Sequence, residues 1–235
     1  MNKVLLIDAD SLLWKNIEDL DTYKDRIDEI MSELVGLTEA SHYKVFLEAP
    51  NTRSFRSLFH KDYKGNRVSK KPDNFREIRD YIIEVYNPYL SYLEETDDSI
   101  VSTHKYISDN YPLTSVVIAT PDKDFKTKEV SIFDTYHGRY GELYDISKDE
   151  AEYNFYFQML VGDSADNVKG CKGVGKKGAE KILDKSSNYF VSTYRAYVKA
   201  FGDVSRTEWR KNKILLTLRD DVRPCVELDK AEFDG

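Results

Sequence analysis

The sequence predicts an α/β protein, with a mostly parallel central sheet flanked by helices over residues 1–150 and a helical lobe over residues 151–235. Three observations predict it. Short apolar runs of strand length recur at residues 4–7, 44–47, 115–119 and 130–133. Between them lie longer charged stretches whose apolar residues fall at helical spacing, as expected of strands joined by crossover helices. After about residue 150 the strand-like runs stop and only the helical period continues.

Taken in order, Val4-Leu5-Leu6-Ile7 reads as a buried strand ending at Asp8, with a helix after it over residues 12–37. Residues 44–47 form a second buried strand that ends at Glu48. Regular apolar pattern is then lost from Ala49 to about Asp73, and so long an unpatterned segment in a compact domain points to function. Phe75, Ile78, Ile82, Val85 and Tyr86 mark an amphipathic helix that Pro88 stops. Residues 89–93 read as a short strand running into Glu94-Glu95-Thr96-Asp97-Asp98 and a further helix. Ser-Val-Val-Ile-Ala at 115–119 is the clearest strand and ends in Thr120-Pro121-Asp122-Lys123-Asp124, and residues 130–133 give one more. In the lobe, Tyr153, Tyr156 and Leu160 mark one helix and Phe190, Tyr194, Tyr197 and Phe201 another, with a glycine-rich hairpin between them.

Composition narrows the classes of function. Hydrophobic content of 40%, with 17 Tyr and 11 Phe, supports a packed core rather than a disordered tail. Cys171 and Cys225 are too few for a disulfide framework or a zinc site, and read as reduced thiols of a cytosolic protein. Only four apolar residues precede Asp8, too short a run for a signal peptide, and no later run reaches membrane-spanning length. The expectation is a soluble cytoplasmic protein with no membrane association. The net charge of −7 is unlike the basic footprint of most nucleic-acid binders. Its distribution is uneven, however: residues 53–79 hold nine Lys/Arg against three acids, and residues 169–181 hold five Lys against one.

Ligands of open α/β sheets bind outside the carboxyl ends of the strands. Asp8, Glu48 and Asp122 each sit at, or a few residues past, the end of a predicted strand, and Glu95, Asp97 and Asp98 follow another. Adjacent strands would bring these acids to one edge, where they repel one another unless cations neutralise them. Oxygen ligands without His or Cys suit Mg²⁺ or Mn²⁺ rather than zinc. Singly, each has a bland reading: Asp97-Asp98 as a helix N-terminus, Asp122 and Asp124 as turn residues. Their joint occurrence at strand ends favours a metal site. Asp10 reads as an outer ligand or a helix cap. His42, His60, His104 and His137 show no ligand spacing and read as surface or packing residues. In the lobe, Gly162-Asp163-Ser164-Ala165-Asp166-Asn167 precedes Lys169-Gly170-Cys171-Lys172-Gly173-Val174-Gly175-Lys176-Lys177. Gly173 and Gly175 let a tight hairpin bring backbone N–H groups close to an anion, and the next helix N-terminus, with Lys172, Lys176 and Lys177, adds positive charge.

The order of these motifs resembles the phage-type 5′–3′ exonuclease and flap endonuclease family. The resemblance rests on Asp8, Tyr63-Lys64-Gly65-Asn66-Arg67, Glu95-Thr96-Asp97-Asp98, Asp122-Lys123-Asp124 and Gly162-Asp163-x-x-Asp166-Asn167 with its Gly-Val-Gly hairpin, and spans residues 4–185. It implies a PIN-like nuclease core, a helical arch over about 49–73, and a helix–hairpin–helix variant over about 153–185 that grips duplex DNA. It implies that Asp8, Glu95, Asp97, Asp98, Asp122, Asp124, Asp163 and Asp166 bind two or more Mg²⁺ ions, with Mn²⁺ as a substitute and a monovalent cation at the hairpin as an additional option. Lys64 resembles the arch lysine that contacts the scissile phosphate, Arg67 a second cation, and Tyr63 a stacking residue. Arg56, in Phe55-Arg56, also falls within the family's pattern as a DNA contact. Glu48 stands where the family usually has Asp. The implied substrate is duplex DNA with a 5′ end or flap, or an RNA/DNA hybrid, cut by a monomer in a bacterial or phage-infected cytoplasm. The implied chemistry is two-metal hydrolysis that leaves a 5′-phosphate and a 3′-hydroxyl. A non-catalytic DNA-binding module and an RNA-cleaving PIN-domain enzyme are the rival readings.

Overall fold

The first strand, β1 (Lys3–Asp8), buries side chains on both faces: Leu5 and Ile7 enter one apolar cluster, Val4 and Leu6 another. A strand covered on both sides is apolar at every position, which is why its sequence shows a continuous run. The computed structural model describes residues 2–14, 19–67, 70–136 and 138–231, so the reading of His137 and residues 68–69 of the 49–73 segment lie outside the described residues. β1 pairs in parallel with β2 (His42–Glu48) on one side and β4 (Ser115–Thr120) on the other. β3 (Tyr89–Ser91) lies beside β2, and β5 (Val130–Asp134) beside β4, again parallel. An antiparallel edge strand, β6 (Leu143–Ile146), completes the order β3-β2-β1-β4-β5-β6.

Helices cover both faces. On one, Ile27, Ile30 and Leu34 of α1 (Leu20–Thr38) and Phe75, Ile78 and Ile82 of α3 (Phe75–Tyr86) pack against Leu5, Ile7, Val45, Leu47 and Val117. On the other, Ile100, Val101 and Ile107 of α4 (Thr96–Asn110) meet Val4, Leu6, Phe46 and Ile118. The helix expected over residues 12–37 is divided. A 3₁₀ turn spans Asp10–Trp14, and α1 starts at Leu20, where the Asp19 carboxylate accepts from the Asp21 N–H at 3.2 Å. Residues 15–18 lie outside the described residues.

The lobe forms around its own core of Met159, Leu160, Tyr197 and Trp209. It consists of α5 (Lys148–Val161), a small hairpin of β7 (Gly162–Asp163) and β8 (Val168–Lys169), α6 (Lys176–Leu183), α7 (Tyr189–Phe201) and α8 (Ser205–Leu216). Tyr197 fixes its centre: the hydroxyl donates to the Met159 carbonyl at 2.6 Å and accepts from Asn212 Nδ2 at 2.7 Å.

Two expectations need correction. The lobe does not hold the whole of residues 151–235. After Leu216 the chain returns to the core, where Leu218 and Cys225 join the second apolar cluster and β9 (Asp229–Lys230) pairs antiparallel with β2. Nor do the described residues of 49–73 form a helical arch. Among the described residues of that segment the helix is α2 (Phe55–Phe59), residues 61–66 are turns, and Tyr63 is buried against the lobe core. No helix of the described residues is long and apolar enough to cross a membrane.

Gly162 and Gly170 face each other where the hairpin leaves α5, and a Cβ on Gly170 would meet Leu160 O and Gly162 N well inside contact distance. Gly170→Ala is therefore expected to cost about 1–3 kcal/mol, as overpacking does, and to lower the melting temperature. Gly178→Ala, whose Cβ would meet only the Val174 side chain at 3.5 Å, should match or exceed the wild type, because alanine favours the helix. Thermal denaturation of the two variants checks both.

Candidate active site

The carboxyl ends of β1, β2, β3 and β4 reach one edge of the sheet, and each brings an acid with it. Asp8 ends β1, and its Oδ2 accepts from Thr120 Oγ1 at 2.9 Å. The same hydroxyl accepts from the Asp122 N–H at 3.0 Å, so the ends of β1 and β4 are held together. Asp122 caps the turn after β4 by accepting from the Asp124 N–H at 2.8 Å. Asp10 accepts from the Glu48 N–H at 3.1 Å and from Thr96 Oγ1 at 2.5 Å, which joins the ends of β1 and β2 to the start of α4. It acts as an internal brace.

The acids line two connected halves of one cleft. Asp8, Asp10 and Glu48 line the first, and Asp124, Asp163 and Asp166 line the second; Glu95, Asp97 and Asp122 are common to both. Segment 55–67 and Lys123 supply cations at the rim. Lys64 Nζ meets Glu95 Oε1 at 2.8 Å, Arg67 Nη2 meets Asp166 Oδ1 at 2.5 Å, and Lys123 Nζ meets Asp163 Oδ2 at 2.7 Å. The inner acids Asp8, Asp97 and Asp122 make no such pair among the described residues.

Titration follows this division. Burial, then the charges of Asp10 and Asp122, push Asp8 up to about 7. Burial, then Asp122 and Asp8, raises Asp97 well above the ordinary carboxylate range. Burial raises Asp122 as well, and burial with the Asp122 charge takes Asp124 up to about 7. Glu48 is raised by burial and by Asp10. Glu95 differs: burial opposes its ionisation, but Lys64 and Arg56 outweigh it and hold the group below its usual value. Asp163 is likewise held low by Lys123 against the effect of burial.

This donor set fits hard divalent cations in kind, since it is all oxygen and its inner members disfavour one another's charge. Among the described residues no three or more His, Cys, Asp or Glu side chains are placed so as to hold one metal ion together. Instead the rim acids hold lysine and arginine.

Several nominated residues sit differently from expectation. Asp98 was expected among the metal ligands, but it is fully buried and is not among the residues lining the cleft. Its two oxygens take a fork from Arg56, at 2.6 Å and 2.7 Å, and Oδ1 also accepts the Arg219 N–H at 2.7 Å. Asp97 and Asp98 are consecutive on a helix, so they project about 100° apart, one toward the cleft and one toward the core. Arg56, expected on DNA, is only 1% exposed and is spent on Asp98, Glu95 and the Thr217 carbonyl. Tyr63, expected to stack on DNA, is 4% exposed, and its hydroxyl donates to Glu95 Oε2 at 3.0 Å and Asp166 Oδ2 at 2.8 Å. Lys172, Gly173, Gly175, Lys176 and Lys177 are all exposed, and none of them lines the cleft. Gly173 has φ +81° and open space around it, and Gly175 caps α6. Sequence reasoning missed Lys123, which looks like a solvated residue between two aspartates.

No family model matches the chain. It is 28% identical over 213 residues to DNA polymerase I of Streptococcus pneumoniae (strain ATCC BAA-255 / R6), covering 77% of this chain but 24% of that protein. The chain thus spans about a quarter or less of the DNA polymerase I relatives it matches. It is 22% identical over 249 residues to Flap endonuclease Xni of Shewanella sp. (strain MR-4), covering 100% of this chain and 92% of that one. Among solved structures, zinc-bound T5 5′-exonuclease superposes with a TM-score of 0.59 at 15% identity, covering 92% of this chain and 100% of that one. The catalytic core of Rad2 in complex with DNA substrate gives 0.53 at 10% identity, covering 94% and 74%. The fold is that of these nucleases, and the homologues are named as flap endonucleases and DNA polymerase I.

The geometry makes two predictions. Asp98→Asn should lower the melting temperature sharply, because breaking one side of a buried ion pair costs about 3–5 kcal/mol; an unchanged melting temperature would return Asp98 to the metal site. The second concerns pH. Asp8 and Asp124 have folded-state values near 7 against an ordinary 3.8, so folding favours their protonated forms. That stabilisation is complete below the ordinary value and is lost as pH rises through about 7. In chelator, the melting temperature should fall between pH 5 and pH 8, and the Asp8→Asn/Asp124→Asn double variant should flatten the fall. Scanning calorimetry at the two pH values measures it.

Proposed function

We propose that the protein is a structure-dependent 5′ nuclease that hydrolyses DNA phosphodiester bonds, acting as a 5′–3′ exonuclease and 5′-flap endonuclease. The observation that carries this reading is the set of three inner acids, Asp8, Asp97 and Asp122, which share the carboxyl edge of a parallel sheet and have no ion pair of their own among the described residues. The names of the full-length relatives support the same reading.

Asp8, Asp97 and Asp122 would hold divalent ions, with Glu48 on one side and Glu95, Asp124, Asp163 and Asp166 on the other. Mg²⁺ in two positions, or Mn²⁺, would supply an ionisable water near neutral pH and positive charge beside the scissile phosphate. Cleavage in line would leave a 5′-phosphate and a 3′-hydroxyl.

The chain's own residues do the rest. Lys64 and Arg67, now on Glu95 and Asp166, line both halves of the cleft, and a phosphate in the cleft would take them over from those carboxylates. Lys64 is held for this task by its backbone, with φ +54° and an N–H donated to the Asp166 carbonyl at 2.9 Å. Asp10 positions Glu48 and Thr96. At the hairpin, the exposed N–H groups around Gly173 and Gly175, with Lys172, Lys176 and Lys177, would grip duplex phosphates irrespective of sequence. A basic duplex grip is not needed by an enzyme that cuts single-stranded RNA, which favours DNA as the substrate.

Product mapping on a 5′-flap duplex tests this directly. Cleavage in Mg²⁺ with 5′-phosphate products, and none in chelator, is the expected result. Asp122→Asn should abolish cleavage and keep binding. Lys64→Ala should slow single-turnover cleavage by about two to three orders of magnitude with a much smaller loss in affinity. Cleavage of single-stranded RNA in preference to the flap would overturn the reading.

A further inference from the structure

Arg79 is a charged group that the folded chain leaves incomplete. It projects from α3, is 9% exposed, and lines the cleft beside Asp10 and Glu48. Its Nε is buried with no hydrogen-bond partner, and it is the one cationic atom among the buried unpartnered side-chain atoms of the described residues. The guanidinium carbon stands 5.3 Å from the centroid of the Phe75 ring, a contact that satisfies none of its N–H groups. Leaving a buried charged donor unpaired is costlier than leaving a neutral one, so a partner from outside the chain fits the site better than none.

The partner must be an anion. A guanidinium presents paired N–H groups that match the oxygens of a phosphate. Lys71, whose Nζ is 4.4 Å from the centroid of the same Phe75 ring, and Arg53 line the same cleft, as do Thr52, Ser54 and Ser57. The nearby carboxylate of Asp10 is already engaged by the Glu48 N–H and Thr96 Oγ1, and forms no ion pair with Arg79. The half of the cleft that Arg79 lines has a volume of about 810 Å³, within the range of roughly 300–1,000 Å³ typical of small-molecule sites.

We propose that Arg79, assisted by Lys71, binds the terminal 5′-phosphate of the strand being cut. The inference rests on the nuclease reading. A terminal group is favoured because Arg79 is recessed: a chain end can enter to reach it, whereas an internal phosphodiester carries chain on both sides. A phosphomonoester also bears more negative charge near neutral pH than a diester.

The test compares two flap duplexes that differ only in a 5′-phosphate or a 5′-hydroxyl on a short flap. Affinity is measured in Ca²⁺, and kcat/KM in Mg²⁺. The wild type should bind the phosphorylated end about tenfold more tightly, Arg79→Gln should bring the ratio close to one, and Arg79→Lys should keep part of it. Lys71→Gln, at an exposed position, should reduce the ratio in smaller measure and serves if Arg79→Gln does not fold. A wild-type ratio of one overturns the proposal. So does an Arg79→Gln variant that weakens both ends equally, since Arg79 would then only balance Asp10 and Glu48. Absence of cleavage at either end, with the binding ratio intact, would overturn the nuclease reading and leave the anion site standing.

Discussion

Carboxylates of like charge crowd one edge of a parallel sheet, and the rest of the structure is arranged around that repulsion. The strand register leaves little choice: β1, β2, β3 and β4 run in the same direction, so whatever follows each of them arrives at the same place. Thr120 and Asp10 tie the strand ends closely enough for Asp122 to add to burial in raising Asp8, and for Asp122 and Asp8 together to do the same to Asp97. Lys64, Arg67 and Lys123 offset the outer acids, and the inner three are left. Beneath them lies a pair of the opposite kind. Arg56 and Asp98 neutralise each other completely out of water, and that pair holds α2, the start of α4 and the returning tail in one place.

Much of this was legible in the sequence because buried parallel strands announce themselves. The runs at residues 4–7, 44–47, 115–119 and 130–133 lie inside β1, β2, β4 and β5, and the helix read from Phe75 to Tyr86 is α3 itself. Their apolar content comes from burial on both faces, so the pattern does not depend on long-range detail. β6 and β9 gave no such signal. β6 carries the exposed Leu143, and β9 is a two-residue pairing that exists only because the tail comes back.

Side-chain roles were legible only in part. A basic segment reads the same whether it faces phosphate or carboxylate, so Arg56 and Tyr63 looked like DNA contacts while both are buried against acids. Asp97 and Asp98 are indistinguishable as letters. Only the helix axis decides which of them reaches the cleft, and the buried arginine that identifies Asp98 as a core partner lies 42 residues away in sequence. Arg79, one of the nine Lys/Arg between residues 53 and 79, stands out once its missing partner is visible.

The turn at residues 62–67 docks on the hairpin loop as well as on the acids. Asn66 Nδ2 donates to the Ser164 carbonyl at 2.7 Å, and Asn167 Nδ2 donates to the Asp62 carbonyl at 2.8 Å. The chain itself enters the lobe through α5 and leaves it after α8, where Thr217 and Arg219 meet the Arg56–Asp98 pair. A lobe joined to its core by one strand of chain could swivel in any direction. Two covalent crossings define a line, as the two pins of a door do, and rotation about that line is the motion that stretches neither. The returning tail therefore does more than fill the second core: it gives the lobe a second covalent attachment beside the cleft, where Thr217 and Arg219 meet the Arg56–Asp98 pair.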